Sequence, residues 1–287
     1  MNDFRFLAIL RCCAVVLLLT VLLSACGGDK RRPYTPADEQ RARQEMDDSL
    51  QTDSLQAVVE EPMPTAADEL FDDFFFNYAA SRRLQQERTR FPLPVERDTV
   101  TTYIEKRQWK PERFFIDQDF YTLIFDSERQ MDLVKDTTVA RVTVERIQLS
   151  ESTVQQYCFE RLHGAWMLQK VCYQPLQRNP NAQFLGFYQR FVSDSLFMHQ
   201  SLADQINFSG PDPDDDFQMI EGVISPEQWD AFAPTFPDGT LYNIVYDPHH
   251  PAAMQKIFVI RGIANGLEVE VTFRLQKGRW RLKKLST

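Results

Sequence analysis

Two stretches decide how this chain reads: Phe71-Asp-Asp-Phe-Phe-Phe-Asn-Tyr78 and Phe184-Leu-Gly-Phe-Tyr-Gln-Arg-Phe191. Phe71, Phe74, Phe75 and Tyr78 match Phe184, Phe187, Tyr188 and Phe191, each displaced by 113 positions. Spacings of three and four put the rings of each set on one helical face. The correspondence continues along the chain. Ile104 and Gln108-Trp109 match Ile224 and Gln228-Trp229 at a displacement of 120, and Tyr121–Asp126 matches Tyr242–Asp247 at 121. His163–Lys170 matches Lys277–Lys284 at 114. Four matches in one order, with displacements that drift by only a few residues, indicate two tandem copies. The extra residues of the second copy fall around Ser209–Asp216, a Pro/Asp-rich stretch read as a loop, where lengthening costs little.

Each copy follows the same plan. A helix is expected over 66–86, entered through a capping box variant at Thr65 and Asp68, and its counterpart over 183–203. A shorter helical or irregular stretch carries Trp109. Strands are expected over 121–125, 139–149, 153–162 and 165–173, and again over 242–246, 256–263, 267–275 and 279–285. Asn265-Gly266 and Lys277-Gly278 are hairpin signals. Helices gathered beside a mainly antiparallel sheet make an α+β protein, with a first helix-sheet domain over 65–178 and a second over 179–287.

The closing Gly-x-Trp-x-Leu hairpin of each copy, after an aromatic helix and three strands, resembles the end of a nuclear transport factor 2-like (SnoaL-like, cystatin-like) domain. That resemblance implies a long helix lying in a curved antiparallel sheet and leaving a conical pocket. The chain, N-terminus included, is also similar to a lipoprotein family of unknown function built from such domains. The fold hosts isomerases, dehydratases, scaffolds and binders, so the resemblance leaves activity open.

The N-terminus carries the address. Arg5 and Arg11 precede an apolar run from Ala14 to Leu23, too short for a spanning helix, and Leu23-Ser24-Ala25-Cys26 closes it. This resembles a lipoprotein signal, residues 1–25, which implies acylation of Cys26 as the new N-terminus. Gly27 in place of Asp fits sorting to the outer membrane rather than the inner. Residues 26–64, rich in Gln, Asp, Glu, Ser and Pro, read as a flexible tether. The expected location is the cell envelope, with the lipid as the only membrane attachment.

The chain has 32 Lys and Arg against 41 Asp and Glu, a net charge of −9 that becomes −10 when residues 1–25 take Arg5, Arg11 and Asp3 with them. Such an acidic balance argues against nucleic-acid binding, which needs a basic footprint. Cys158 and Cys172 remain in an oxidising compartment. With His163-Gly164 as the turn, Cys158 faces Gln169, and alternation puts the two sulfurs on opposite sheet faces unless a bulge intervenes.

Site signals are weak. Phe71, Phe75, Tyr78, Phe184, Tyr188 and Phe191 are the candidate lining of an apolar pocket, and the same rings serve equally as core. No phosphate-cradling loop, nucleophile elbow or paired-cysteine framework is present. His163 falls in a turn, and His199 stands late on the second helix. Asp247, His249 and His250 share a loop without a fourth ligand, and Asp212, Asp214, Asp215 and Asp216 lack the offsets of a calcium loop. No metal and no cofactor is expected. The repeated Asp126 and Asp247 suit a structural task at strand ends. Arg274, Arg279, Arg281 and Lys283 form a basic stripe opposite Trp280 and Leu282, a solvated face or a dock for an acidic partner. The expected function is non-catalytic binding of a small apolar ligand or an envelope protein. The alternative is an isomerase or hydro-lyase type enzyme with an Asp base in one cone.

Overall fold

The first aromatic stripe lies on α1, Phe71–Ala80, which is shorter than its periodicity predicts. Ser81 turns the backbone out to φ −111° and ψ 112°, and its hydroxyl accepts from the N–H of Leu84 at 3.2 Å, capping α2, Arg82–Glu87. The second stripe repeats the break. There α3, Ala182–Ser193, stops at Asp194, whose carboxylate caps α4, Ser195–Gln200, by accepting from the Phe197 N–H at 2.9 Å. Ser81 and Asp194 are again 113 positions apart. The continuous helices expected over 66–86 and 183–203 are therefore each two helices. Short oxygen-bearing side chains compete for backbone N–H groups and favour caps over helix interiors. Asp68 makes no capping box either. Its carboxylate takes two bonds from Arg88 at 3.1 and 2.8 Å and one from the Trp166 N–H at 3.4 Å.

The computed structural model describes residues 68–116, 118–212, 215–246 and 253–287. The signal segment 1–25, Cys26, the tether to residue 64, Thr65, Asp214 and the Asp247, His249 and His250 loop lie outside the described residues. Within them no helix is long and apolar enough to cross a membrane.

Among the described residues, twelve strands form one sheet. They are β1 Leu93–Arg97, β2 Val100–Ile104, β3 Phe120–Phe125, β4 Arg141–Gln148, β5 Thr153–Leu162 and β6 Ala165–Pro175. Then come β7 Leu202–Asp212, β8 Asp215–Ile224, β9 Thr240–Val245, β10 Gln255–Gly262, β11 Glu268–Gln276 and β12 Arg279–Ser286. The eight expected strands are present. The hairpins β1–β2 and β7–β8 are additions, and the second corrects the loop expected at Ser209–Asp216. Proline hides them: Pro94 and Pro211 interrupt the strand pattern, and proline is tolerated in strands near a sheet edge. The β5–β6 and β11–β12 turns hold His163 and Gly164 at φ 52° and 85°, and Lys277 and Gly278 at 49° and 76°, as a two-residue hairpin requires.

The sheet order is β2-β1-β6-β5-β4-β9-β3-β10-β11-β12-β7-β8. Each half keeps five strands together and places its sixth beyond the other half's. Thus β9 lies antiparallel to β4, with Val144 opposite Ile244, and β3 lies antiparallel to β10, with Leu123 opposite Val259. The exchanged strands touch each other in parallel at Thr122 and Asn243. The central strands are covered on both faces, which explains near-continuous apolar runs such as Ile257-Phe-Val-Ile260. Alternate residues serve different cores. Tyr121, Leu123, Phe125, Ile257 and Val259 join the core of α1, whereas Ile124, Leu241, Phe258 and Ile260 join that of α3.

A buried polar chain crosses the same central strands. Glu145 on β4 accepts from the side-chain amides of Gln156 at 2.9 Å, Asn179 at 2.7 Å and Asn243 at 3.0 Å. The Asn179 side chain in turn accepts from the Asn181 N–H at 2.8 Å, and the Asn181 side chain from Lys256 Nζ at 2.6 Å. Lys256 also bonds the carboxylate of Asp126, so the repeated aspartate anchors a buried ion pair. Burial pushes the Glu145 carboxyl above its ordinary range, and the amide donors pull it partly back.

Glu145→Ala leaves three amide donors without an acceptor and is expected to cost about 3 kcal/mol or more in urea unfolding. Because the folded state holds the Glu145 proton more tightly than the unfolded chain, stability falls as pH rises from the ordinary glutamate value through the raised folded one. Urea midpoints measured across that window should decline more shallowly in Glu145→Gln than in the natural chain.

Candidate functional site

The aromatic stripes are buried except at Phe187, which is half-buried. Phe71, Phe75, Tyr78, Phe184, Tyr188 and Phe191 are each between 0 and 2 % exposed. Phe71 meets Trp166 edge-on at 5.0 Å and Tyr78 meets Phe159 at 5.2 Å; in the other core Phe184 meets Trp280 at 5.5 Å and Tyr188 meets Phe258 at 4.6 Å. Such T-shaped and tilted contacts are the favoured aromatic geometry. The polar ends are occupied too: the Tyr78 hydroxyl pairs with Thr89 at 3.1 Å, and that of Tyr188 donates to the Pro237 carbonyl at 2.8 Å. Three surface clefts have other linings, and of the two stripes only Phe187 reaches one of them.

Beside the first stripe stands a carboxyl that periodicity passes over. Asp72, one position after Phe71, accepts from the Tyr121 hydroxyl at 3.1 Å and from the Tyr246 hydroxyl. Tyr121 comes from β3 and Tyr246 follows β9, so the strand exchange assembles this cluster. Burial raises Asp72 above the usual carboxylate range; the two phenols, then the Arg261 guanidinium, draw it back. Tyr246 also lines a cleft of about 480 Å³ with Leu133, Val139, Arg141 and Val245. A carboxyl held by two phenols can accept and return a proton, and Tyr246 stands where such a relay meets the cleft. The second half has no equivalent, because Leu185 occupies the position of Asp72.

The other two clefts belong to the second half. One, about 640 Å³, runs along β7 and β12 and is lined by Asp204, Gln276, Lys277, Arg279, Arg281 and Lys283. Its neighbour, about 460 Å³, shares Arg279 and Arg281 and adds Phe187, Arg190, Phe197 and Trp280. Strand alternation builds this. Trp280 and Leu282 enter the core, so Arg279 and Arg281 point outward.

His163 sits in its hairpin turn, and His199 Nε2 lies 3.1 Å from Asp230. Cys158 and Cys172 correct the expected register. A bulge between Cys158 and Phe159 absorbs Gln169, so Cys158 faces Lys170, and both sulfurs share one face with their thiols hydrogen-bonded. Both are free thiols, and Cys172 Sγ donates to Glu96 at 3.1 Å. Among the described residues no three His, Cys, Asp or Glu side chains are grouped to hold a metal ion.

A long curved sheet embracing paired helices on an aromatic seam defines a nuclear transport factor 2 (NTF2)-like protein of the α+β class. A solved structure agrees: that of an NTF2-like protein from Bacteroides fragilis is 38% identical, with a TM-score of 0.71, and the match covers 78% of this chain and 98% of that one. Residues 50–287 match the family described as Domain of unknown function (DUF4348), and the chain belongs to that family. No curated protein matches it.

Tyr246→Phe deletes the foremost donor to Asp72 and should move the Asp72 pKa further up, read by carbon-13 carboxyl titration. An unchanged or lower value would mean that the phenol does not hold this carboxylate.

Proposed function

We propose that this chain is a lipid-anchored, non-catalytic binding protein of the cell envelope, held at the outer membrane through Cys26, with two tandem helix-sheet units, 65–178 and 179–287, presented on the 26–64 tether to another envelope protein. One observation carries the choice of a protein over a small apolar ligand. The six stripe rings are packed against their own sheets, and the two clefts of the second half open on surfaces lined by charged and mixed side chains. An apolar ligand would need a concave apolar pocket, whereas a protein partner engages surface grooves. Membership of a family of unknown function and the NTF2-like fold are compatible with such a role.

A second reading, an isomerase or hydro-lyase type enzyme, draws support from the Asp72, Tyr121 and Tyr246 cluster, where burial lifts a carboxyl toward the range useful for proton transfer. It needs a substrate seated in the Tyr246 cleft.

Two measurements test the proposal. Mass spectrometry of the membrane-extracted protein should find a diacylglyceryl-modified Cys26 at the N-terminus, and Cys26→Ala should release the chain from membranes. The fluorescent probe N-phenyl-1-naphthylamine should show no stoichiometric binding to the purified full chain. An unmodified N-terminus sinks the anchor, and one-to-one probe binding transfers the reading to a small apolar ligand.

A further inference from the structure

The outward face of β12 is more basic than folding requires. Its outward residues Arg279, Arg281 and Lys283 correspond, at the displacement of 114, to Ala165, Met167 and Gln169 on β6. The first half thus builds the same hairpin on the same fold without a single cation at these positions. Nor do the cations serve the second half's own electrostatics. Elsewhere Arg88 pairs with Asp68, Lys170 with Glu96, Arg261 with Glu268 and Lys284 with Glu270. Among the described residues, Lys277, Arg279 and Lys283 form no ion pair, and Asp204 is the one carboxylate in the lining of the larger cleft, although acids outnumber bases in the chain. Like charges left side by side repel, a cost that an anionic ligand removes.

The shape narrows the ligand. The two clefts, about 640 and 460 Å³, share Arg279 and Arg281 in their linings, and each is larger than a single small anion fills. Arg281 is fixed by donating to the carbonyls of Gln200 and Leu202, the latter at 3.1 Å, which sets a rigid guanidinium at the junction. Arg279 and Arg281 are alternate residues of one strand, about 6.7 Å apart, and Lys283 follows at a bulge. That spacing is the repeat of side chains on one face of an extended peptide. At the far end Phe187, Phe197 and Trp280 supply an apolar floor, with the Arg190 guanidinium 4.1 Å from the Phe197 ring centre.

From this we infer that the groove over β7 and β12 is a docking site for an extended acidic peptide segment, with carboxylates on alternate residues, of a partner protein. The inference deepens the protein-partner reading and rests on it.

The test is fluorescence anisotropy of a labelled Glu-Ser-Glu-Ser-Glu-Phe peptide with the full chain. Binding should weaken as salt rises. The double variant Arg279→Ala/Lys283→Ala should weaken it at least about tenfold, because both side chains are surface groups whose loss leaves the core intact. A matched Lys106→Ala/Arg107→Ala variant, altered in exposed cations of the first half, should bind like the natural chain. Thermal unfolding of both variants verifies folding. Equal binding of a Glu-Glu-Glu-Ser-Ser-Phe peptide, or full competition by inorganic phosphate, would reduce the groove to a general anion site and overturn the proposal. So would self-association that the β12 variant abolishes, which would assign the groove to a second copy. If no peptide binds while the naphthylamine probe is also refused, the groove assignment falls and the protein-partner reading survives; probe uptake defeats both.

Discussion

Burial of three central strands, β3, β9 and β10, on both faces is the constraint from which the rest of the molecule follows. In β3, β9 and β10 nearly every residue is buried, so alternate residues pack toward α1 and toward α3 at once, while β4 keeps Arg141 exposed at one end. Fully burying one Leu, Ile, Val or Phe side chain contributes roughly 1.5–3 kcal/mol, and β10 buries four such residues in succession, Ile257 to Ile260. The exchange of β3 and β9 turns this into interdependence. Neither half completes its sheet without a strand from the other, and the polar chain from Gln156 through Glu145 and Asn181 to Asp126 crosses the same strands.

The two matched halves of the sequence differ wherever the shared framework does not reach. Asp72 and Leu185 occupy matching places beside matching stripes, one a buried acid under two phenols, the other a core residue. Outward positions on β6 and β12 differ in the same manner, neutral on one hairpin and cationic on the other. Inward positions hardly differ: Trp166 and Trp280, Leu168 and Leu282 perform one task twice. Packing tolerates little variation inside, whereas the outward face of a strand is constrained only by water.

Much of the framework was legible in the residues. Aromatic spacing identified both helices, alternation identified eight strands, and the paired hairpin turns followed from Gly164 and Gly278. The helix breaks were legible in principle, since Ser81 and Asp194 are capping residues in matching positions, yet the apolar pattern continues across them. The hairpins β1–β2 and β7–β8 were hidden because edge strands such as Val100–Ile104 bury almost nothing and so carry no alternation toward a core. The bulge that brings Cys158 beside Cys172 left no trace in spacing, because one unpaired residue changes which side chains share a face without changing composition.

What the sequence determined by itself is local and periodic: the α+β class, the aromatic faces and the basic stripe, because these depend on residues near one another along the chain. Tertiary structure alone decided which half each sixth strand joins, and with it the meeting of Asp72 with Tyr121 and Tyr246 and of Lys256 with Asp126. Those partners lie 49, 174 and 130 positions apart. A strand flanked by apolar residues on both faces fits beside either β4 or β10 equally well by pattern. Only the closure of two cores at once selects its place.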